Sequence, residues 1–132
     1  MILILVDTSA LYALLDRDDE NHPAARRIWA GLLAEDEMLT THLYVVVEAN
    51  ALAQRRLGLE AVRVLNEELL AVVDLHPVER GLHERAVATL LVAGRRDVSL
   101  VDWTSFLLMR ELGIHRAFAF DQHFVEQGFV VL

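Results

Sequence analysis

Residues 2–6 form an unbroken apolar, partly β-branched run that stops at Asp7, the pattern of a strand covered on both faces of a parallel sheet. From Thr8 the period changes. Leu11, Leu14 and Leu15 fall at helical spacing, and the polar stretch 16–22 closes that helix. Pro23 suits a first helical position, and Ala25, Ile28, Trp29, Leu32 and Leu33 trace one helix face as far as the acidic turn Glu35-Asp36-Glu37. A short strand is expected over 38–40, and Thr41 is the expected cap of a helix over 43–56, with Gly58 just beyond its end. The remaining pattern predicts a helix over 59–70, a strand over 72–75 closed by Pro77, and helices over 82–93 and 100–112. Two last strands are expected at 117–120 and 129–132.

Strands separated by helical stretches of this length need crossover connections. The expected class is α/β, a three-layer sandwich whose central, mainly parallel sheet is flanked by helices, and 132 residues suit one domain over 1–132.

Composition narrows the chemistry. Twelve basic residues, all arginine, stand against 20 acidic ones, a net charge of −8, so a polyanionic substrate must be received locally rather than by a basic surface. Without cysteine there are no thiolate zinc sites, disulfides or thiol nucleophiles, and without lysine no Walker phosphate loop or Schiff base. The first apolar run is too short for a signal peptide or a membrane span, so a cytoplasmic location is expected.

Open parallel sheets bind ligands beyond the carboxyl ends of their strands. Asp7 and Asp121 each follow an expected strand there, although a helix cap and a turn residue are sufficient explanations for them singly. Glu48 lies in Leu43-Tyr44-Val45-Val46-Val47-Glu48-Ala49-Asn50-Ala51-Leu52, apolar on nearly every face, so its carboxylate is expected in a low-dielectric region where it needs a cation, a proton or an arginine partner. Ser99-Leu100-Val101-Asp102 has capping-box spacing, yet Asp102 shares a face with Ser105, Phe106 and Met109 and looks inward. Four converging acids with no thiol or lysine suit a hard divalent cation, Mg2+ or Mn2+, that relieves their repulsion and admits a phosphodiester. The histidines form no zinc constellation: His22 and His76 precede prolines, His83 and His115 are expected at the surface, and His123, two residues after Asp121, is placed to touch the site or to pack beside Phe124.

Val6-Asp7-Thr8-Ser9-Ala10-Leu11, Glu48 within Val-Val-Val-Glu-Ala-Asn-Ala-Leu, Ser99-Leu100-Val101-Asp102 and Phe120-Asp121-Gln122-His123-Phe124 together resemble the PIN-domain family. The stretch from Ser105 to Gly113 is most similar to the single-domain VapC-type toxins. The resemblance implies a metal-dependent endoribonuclease, with Asp7 and Asp102 as principal Mg2+ ligands and Glu48 and Asp121 as supporting acids. It also implies an RNA substrate, a homodimer and a small protein antitoxin, with Asp97 as a supporting acid one layer out. Ala119 departs from the pattern, because relatives often carry Thr or Ser two residues before the last aspartate. RNA contacts then fall to arginine, with Arg26-Arg27, Arg55-Arg56 and Arg95-Arg96 as candidate phosphate-contacting pairs. A receiver domain would need a lysine, and a dehalogenase-type phosphotransferase a second acid where Ser9 stands. A housekeeping RNA-processing nuclease and a noncatalytic partner-binding module remain as alternatives.

Overall fold

The computed structural model describes residues 3–132. Five strands, β1 (Leu3–Val6), β2 (Met38–His42), β3 (Asp74–His76), β4 (Arg116–Phe118) and β5 (Val130–Val131), form one sheet in the order β3-β2-β1-β4-β5. Every pairing is parallel. Helices α1 (Thr8–Leu15) and α2 (His22–Ala34) connect β1 to β2, and α3 (Leu43–Arg56) and α4 (Leu59–Val64) connect β2 to β3. Helices α5 (Arg80–Ala93) and α6 (Leu100–Leu112) lie between β3 and β4, and the short α7 (His123–Glu126) between β4 and β5.

Alternation along β1 divides the core into two layers, because successive side chains of a strand point to opposite faces. Ile4 and Val6 pack with Leu11, Ala25 and Val45 from α1 to α3 and with Leu65 just after α4, whereas Leu5 packs with Ala86, Trp103, Phe106 and Phe124 from α5 to α7. The expected three-layer α/β architecture is therefore present. Ile2, the first residue of the expected opening strand, lies outside the described residues.

Four local expectations change. Thr41 does not cap α3: it belongs to β2, where its Oγ1 donates to the carbonyl of Val6 at 2.7 Å, and His42 takes the cap position without a side-chain capping bond. The helix expected over 59–70 stops at Val64 and continues as a π turn over Leu65–Leu69 and a 3-10 turn over Leu70–Val72. The N–H of Leu70 reaches the carbonyl of Leu65, and this wider winding brings both buried leucines toward the same core. The neighbouring strand accordingly starts at Asp74 rather than at residue 72, and His76 ends it instead of lying in a turn. Strand β4 ends at Phe118, because the N–H of Phe120 donates to Ser9 Oγ at 2.9 Å rather than to a neighbouring strand.

No helix among the described residues is long and apolar enough to cross a membrane.

Candidate active site

Sheet order reverses between β1 and β4, since the chain grows outward from β1 through β2 and β3 on one side and through β4 and β5 on the other. Such a switch point leaves a crevice beyond the strand ends. Asp7 stands at that edge directly after β1, and its N–H donates to the carbonyl of Phe118, the last residue of β4. Asp121 follows β4 by three residues on the same edge. Its Oδ1 accepts from the N–H of His123, which turns the chain into α7.

Asp7 caps α1 and is 3% exposed. Its Oδ2 accepts from the N–H of Ser9 at 3.1 Å and from Ser9 Oγ at 2.6 Å. Ser9 Oγ in turn accepts the Phe120 N–H, so one hydroxyl joins the loop carrying Asp7 to the loop carrying Asp121. Burial pushes the Asp7 carboxyl up to about 7 despite the two bonds from Ser9, and the charges of Asp102 and Asp121 push in the same direction.

Asp102 fulfils the capping expectation. The capping box is complete, with the Asp102 N–H on Ser99 Oγ and Asp102 Oδ2 accepting from the Ser99 N–H at 2.9 Å. Burial raises its carboxyl above the ordinary range, as do the nearby charges of Asp121 and Glu48, against the bonds from Ser99. Asp7 therefore feels the charges of Asp102 and Asp121, and Asp102 those of Asp121 and Glu48. Among the described residues, though, no three carboxylate or imidazole groups stand close enough to enclose an ion as placed.

Glu48 is half-buried, and its helix is not apolar-covered all round: Val45, Ala49 and Ala53 are buried, whereas Val47 is 65% exposed. The low-dielectric position expected for Glu48 belongs instead to Asp7. The arginine alternative is not realised either: among the described residues Glu48 forms no ion pair with an arginine, and Arg63, Arg80, Arg85, Arg95 and Arg116 pair with other acids.

These donors fit a hard divalent cation. All are carboxylate oxygens, and Asp7, Asp102 and Asp121 each engage one oxygen in the local hydrogen bonds above, leaving the other for a ligand. Thr8 Oγ1, next to Asp7, is buried without a hydrogen-bond partner, a second sign that a polar group completes this edge.

The PIN domain family matches residues 4–130. The 23S rRNA-specific endonuclease VapC20 of Mycobacterium tuberculosis is 38% identical over 129 residues, which cover 97% of this chain and 96% of that protein. The chain belongs to the PIN-domain family. The crystal structure of Mycobacterium tuberculosis VapC20, a sarcin-ricin loop cleaving toxin, superposes with a TM-score of 0.85 at 37% identity, covering 96% of each chain. VapBC2 from Rickettsia felis, bound to a DNA fragment from its promoter, shares the fold at a TM-score of 0.71 and 10% identity, over 99% of this chain and 98% of that one.

Within this PIN fold the remaining predicted residues separate clearly. His123 is 8% exposed and lies with Nε2 at 3.9 Å from Asp121 Oδ1 and from Asp97 Oδ2. Asp97 is exposed and bonded to Arg95, which also binds Glu126 at 3.0 Å, so Arg95 is already occupied by two acids. Arg56 stacks over the Tyr12 ring at 5.5 Å, while Arg26, Arg27, Arg55 and Arg96 are exposed. Ala119 is buried, and Ser9 Oγ supplies a hydroxyl to the backbone of the following residue.

Two histidines lie otherwise than their sequence pattern suggests: His83, expected at the surface, and His42, for which no role was expected. His83 is half-buried rather than superficial, and its Nδ1 is hydrogen-bonded to Tyr44 Oη. His42 is fully buried at the end of β2, beside Asp7 in the sheet order, with Nε2 at 2.8 Å from Ser105 Oγ and Nδ1 unpartnered. Burial and the neighbouring His76 push its imidazole down to about 4, so it is neutral at physiological pH. The signal available was its place in Thr40-Thr41-His42-Leu43, a polar step between a strand and an apolar helix start.

Proposed function

We propose that this chain, acting as one unit over residues 1–132, is a divalent-metal-dependent endoribonuclease and the toxin of a toxin-antitoxin pair. The observation that carries the reading is the set of acids at the switch point, Asp7, Glu48, Asp102 and Asp121, in a chain similar over almost its whole length to an rRNA endonuclease. Asp7 and Asp102 would hold Mg2+ or Mn2+ most directly, with Glu48 and Asp121 supporting. A bound divalent cation supplies the positive charge that neutralises these acids and stabilises the charge of the reacting phosphodiester. Ser9 holds the loops of Asp7 and Asp121 together, and the capping box fixes Asp102 at the start of α6.

The sarcin-ricin hairpin of 23S rRNA is the first substrate to test, given what the similar toxin is named for. The remaining partners are a small antitoxin protein and a second copy of the chain, in the cytoplasm. The experiment is incubation of labelled hairpin with the purified protein in magnesium, in manganese and in excess chelator. Specific cleavage that requires the cation and disappears in Asp102→Asn supports the proposal. Cleavage that persists in chelator, or an Asp102→Asn variant as active as the parent, refutes it.

A further inference from the structure

A cleft of about 320 Å³ opens between the starts of α3 and α5, lined by Tyr44, Val78, Arg80, His83 and Glu84. Its position relative to the acids follows from the helix period. Tyr44 and Glu48 are four residues apart on α3, so they share one face about 6 Å apart along the axis, comparable to one nucleotide step of an extended strand. Glu48 is also the α3 acid whose charge reaches Asp102. The cleft therefore adjoins the acidic edge on its β2 side.

Its chemistry differs from that of the acidic edge. The Tyr44 ring is braced on two sides, edge-on to the buried His42 at 6.1 Å and perpendicular to His83 at 5.8 Å, and its hydroxyl is bonded to His83. A half-exposed aromatic held this way presents a platform with little rotamer freedom left to lose. Arg80 beside it is 90% exposed and meets Glu84 only at 3.6 Å, a solvent-screened pair that a phosphate can displace. An aromatic platform and a guanidinium side by side suit a nucleotide presented from a single strand or an open loop.

We propose that this cleft seats the nucleotide next to the scissile phosphodiester, its base against Tyr44 and His83 and its phosphate on Arg80. The assignment rests on the ribonuclease reading above and adds to it a place where the substrate strand is gripped. Glu84 competes with the phosphate for Arg80 and tunes that grip.

The test is fluorescence anisotropy of a labelled single-stranded RNA in magnesium chloride, with Asp102→Asn as the uncut background. Tyr44→Ala is expected to weaken binding by roughly tenfold or more, the scale of one lost base stack, while Tyr44→Phe keeps the platform and stays within about threefold. Arg80→Ala is expected to weaken binding and to lower the salt slope by about one, and Glu84→Gln to tighten it. In the otherwise unaltered protein Tyr44→Ala and Arg80→Ala are expected to raise KM and Glu84→Gln to lower it, each by more than it changes kcat. Because Arg80 is almost fully exposed, its variant folds regardless of what happens to Tyr44→Ala. Arg80→Ala and Glu84→Gln variants that bind like their parent overturn the assignment while leaving cation-dependent cleavage intact. Conversely, a parent protein that cleaves no RNA while Arg80→Ala still loses binding removes the ribonuclease reading and keeps the cleft.

Discussion

Replacing Asp7 with asparagine should stabilise the cation-free protein, and increasingly so as the pH rises. Asp7 is 3% exposed, so solvent screening hardly discounts its electrostatic environment. Carrying its carboxyl from the ordinary 3.8 up to about 7 makes ionisation in the folded chain costlier by roughly 4 kcal/mol at alkaline pH. The sign follows from proton counting. Below the unfolded value both states hold the proton and nothing is lost; between 3.8 and about 7 only the folded state holds it, so stability falls as pH rises through that window. Asparagine keeps an oxygen for the Ser9 N–H and hydroxyl but never ionises. The expected gain over wild type is about 1–2 kcal/mol near pH ~5 and about 4 kcal/mol near pH ~8. Urea denaturation in chelator at the two pH values reads this directly. Magnesium should then stabilise wild type and leave the variant nearly unmoved, because only the carboxylate offers the cation its charge. A variant no more stable than wild type near pH ~8, or a difference that does not change with pH, would refute the claim that Asp7 is a strained, charge-seeking group.

Asp102→Asn should lie within about 1 kcal/mol of wild type in chelator, because asparagine can still accept the Ser99 N–H, while RNA cleavage collapses; denaturation beside a cleavage assay separates site from cap. His42 should act on pH stability with the opposite sign to Asp7. Its imidazole is lowered from 6.5 to about 4, so the unfolded chain takes up the proton first, and stability present above 6.5 is lost toward 4, by roughly 3 kcal/mol in all. His42→Gln should therefore flatten the acid limb of the stability profile by about that amount, and an unchanged limb would contradict a buried neutral imidazole. Ser9→Ala removes the hydroxyl bonded to both Asp7 and the Phe120 N–H, and should cost ~1–3 kcal/mol together with most of the cleavage rate. Ser9→Thr should restore part of both, and failure of the alanine variant to lose rate would show that the bridge does not position the acids.

The local elements of this protein were legible because hydrophobic period is a property of neighbouring residues. Buried strands and helical faces such as residues 3–6 and 100–112 announced themselves by spacing, and Asp7 and Asp121 stood out because each follows a run of strand type. The capping box at Ser99 was visible for the same reason, since its partners are three residues apart.

What lay beyond the sequence depended on partners distant along the chain. Thr41 reads as a cap, and only pairing of β2 with β1, which places Val6 beside it, makes it a strand residue. The π turn after α4 answers to a core that must receive both Leu65 and Leu70, a demand no window of residues expresses. The distribution of burial among the acids was decided in the same way. An apolar helix around Glu48 suggested a low-dielectric carboxylate, but the outer side of α3 is left open, and the sheet switch point encloses Asp7 instead. Spacing along the chain named the acids; the packing of β1 against β4, with Ser9 bonded across to Phe120, determined which of them loses its water.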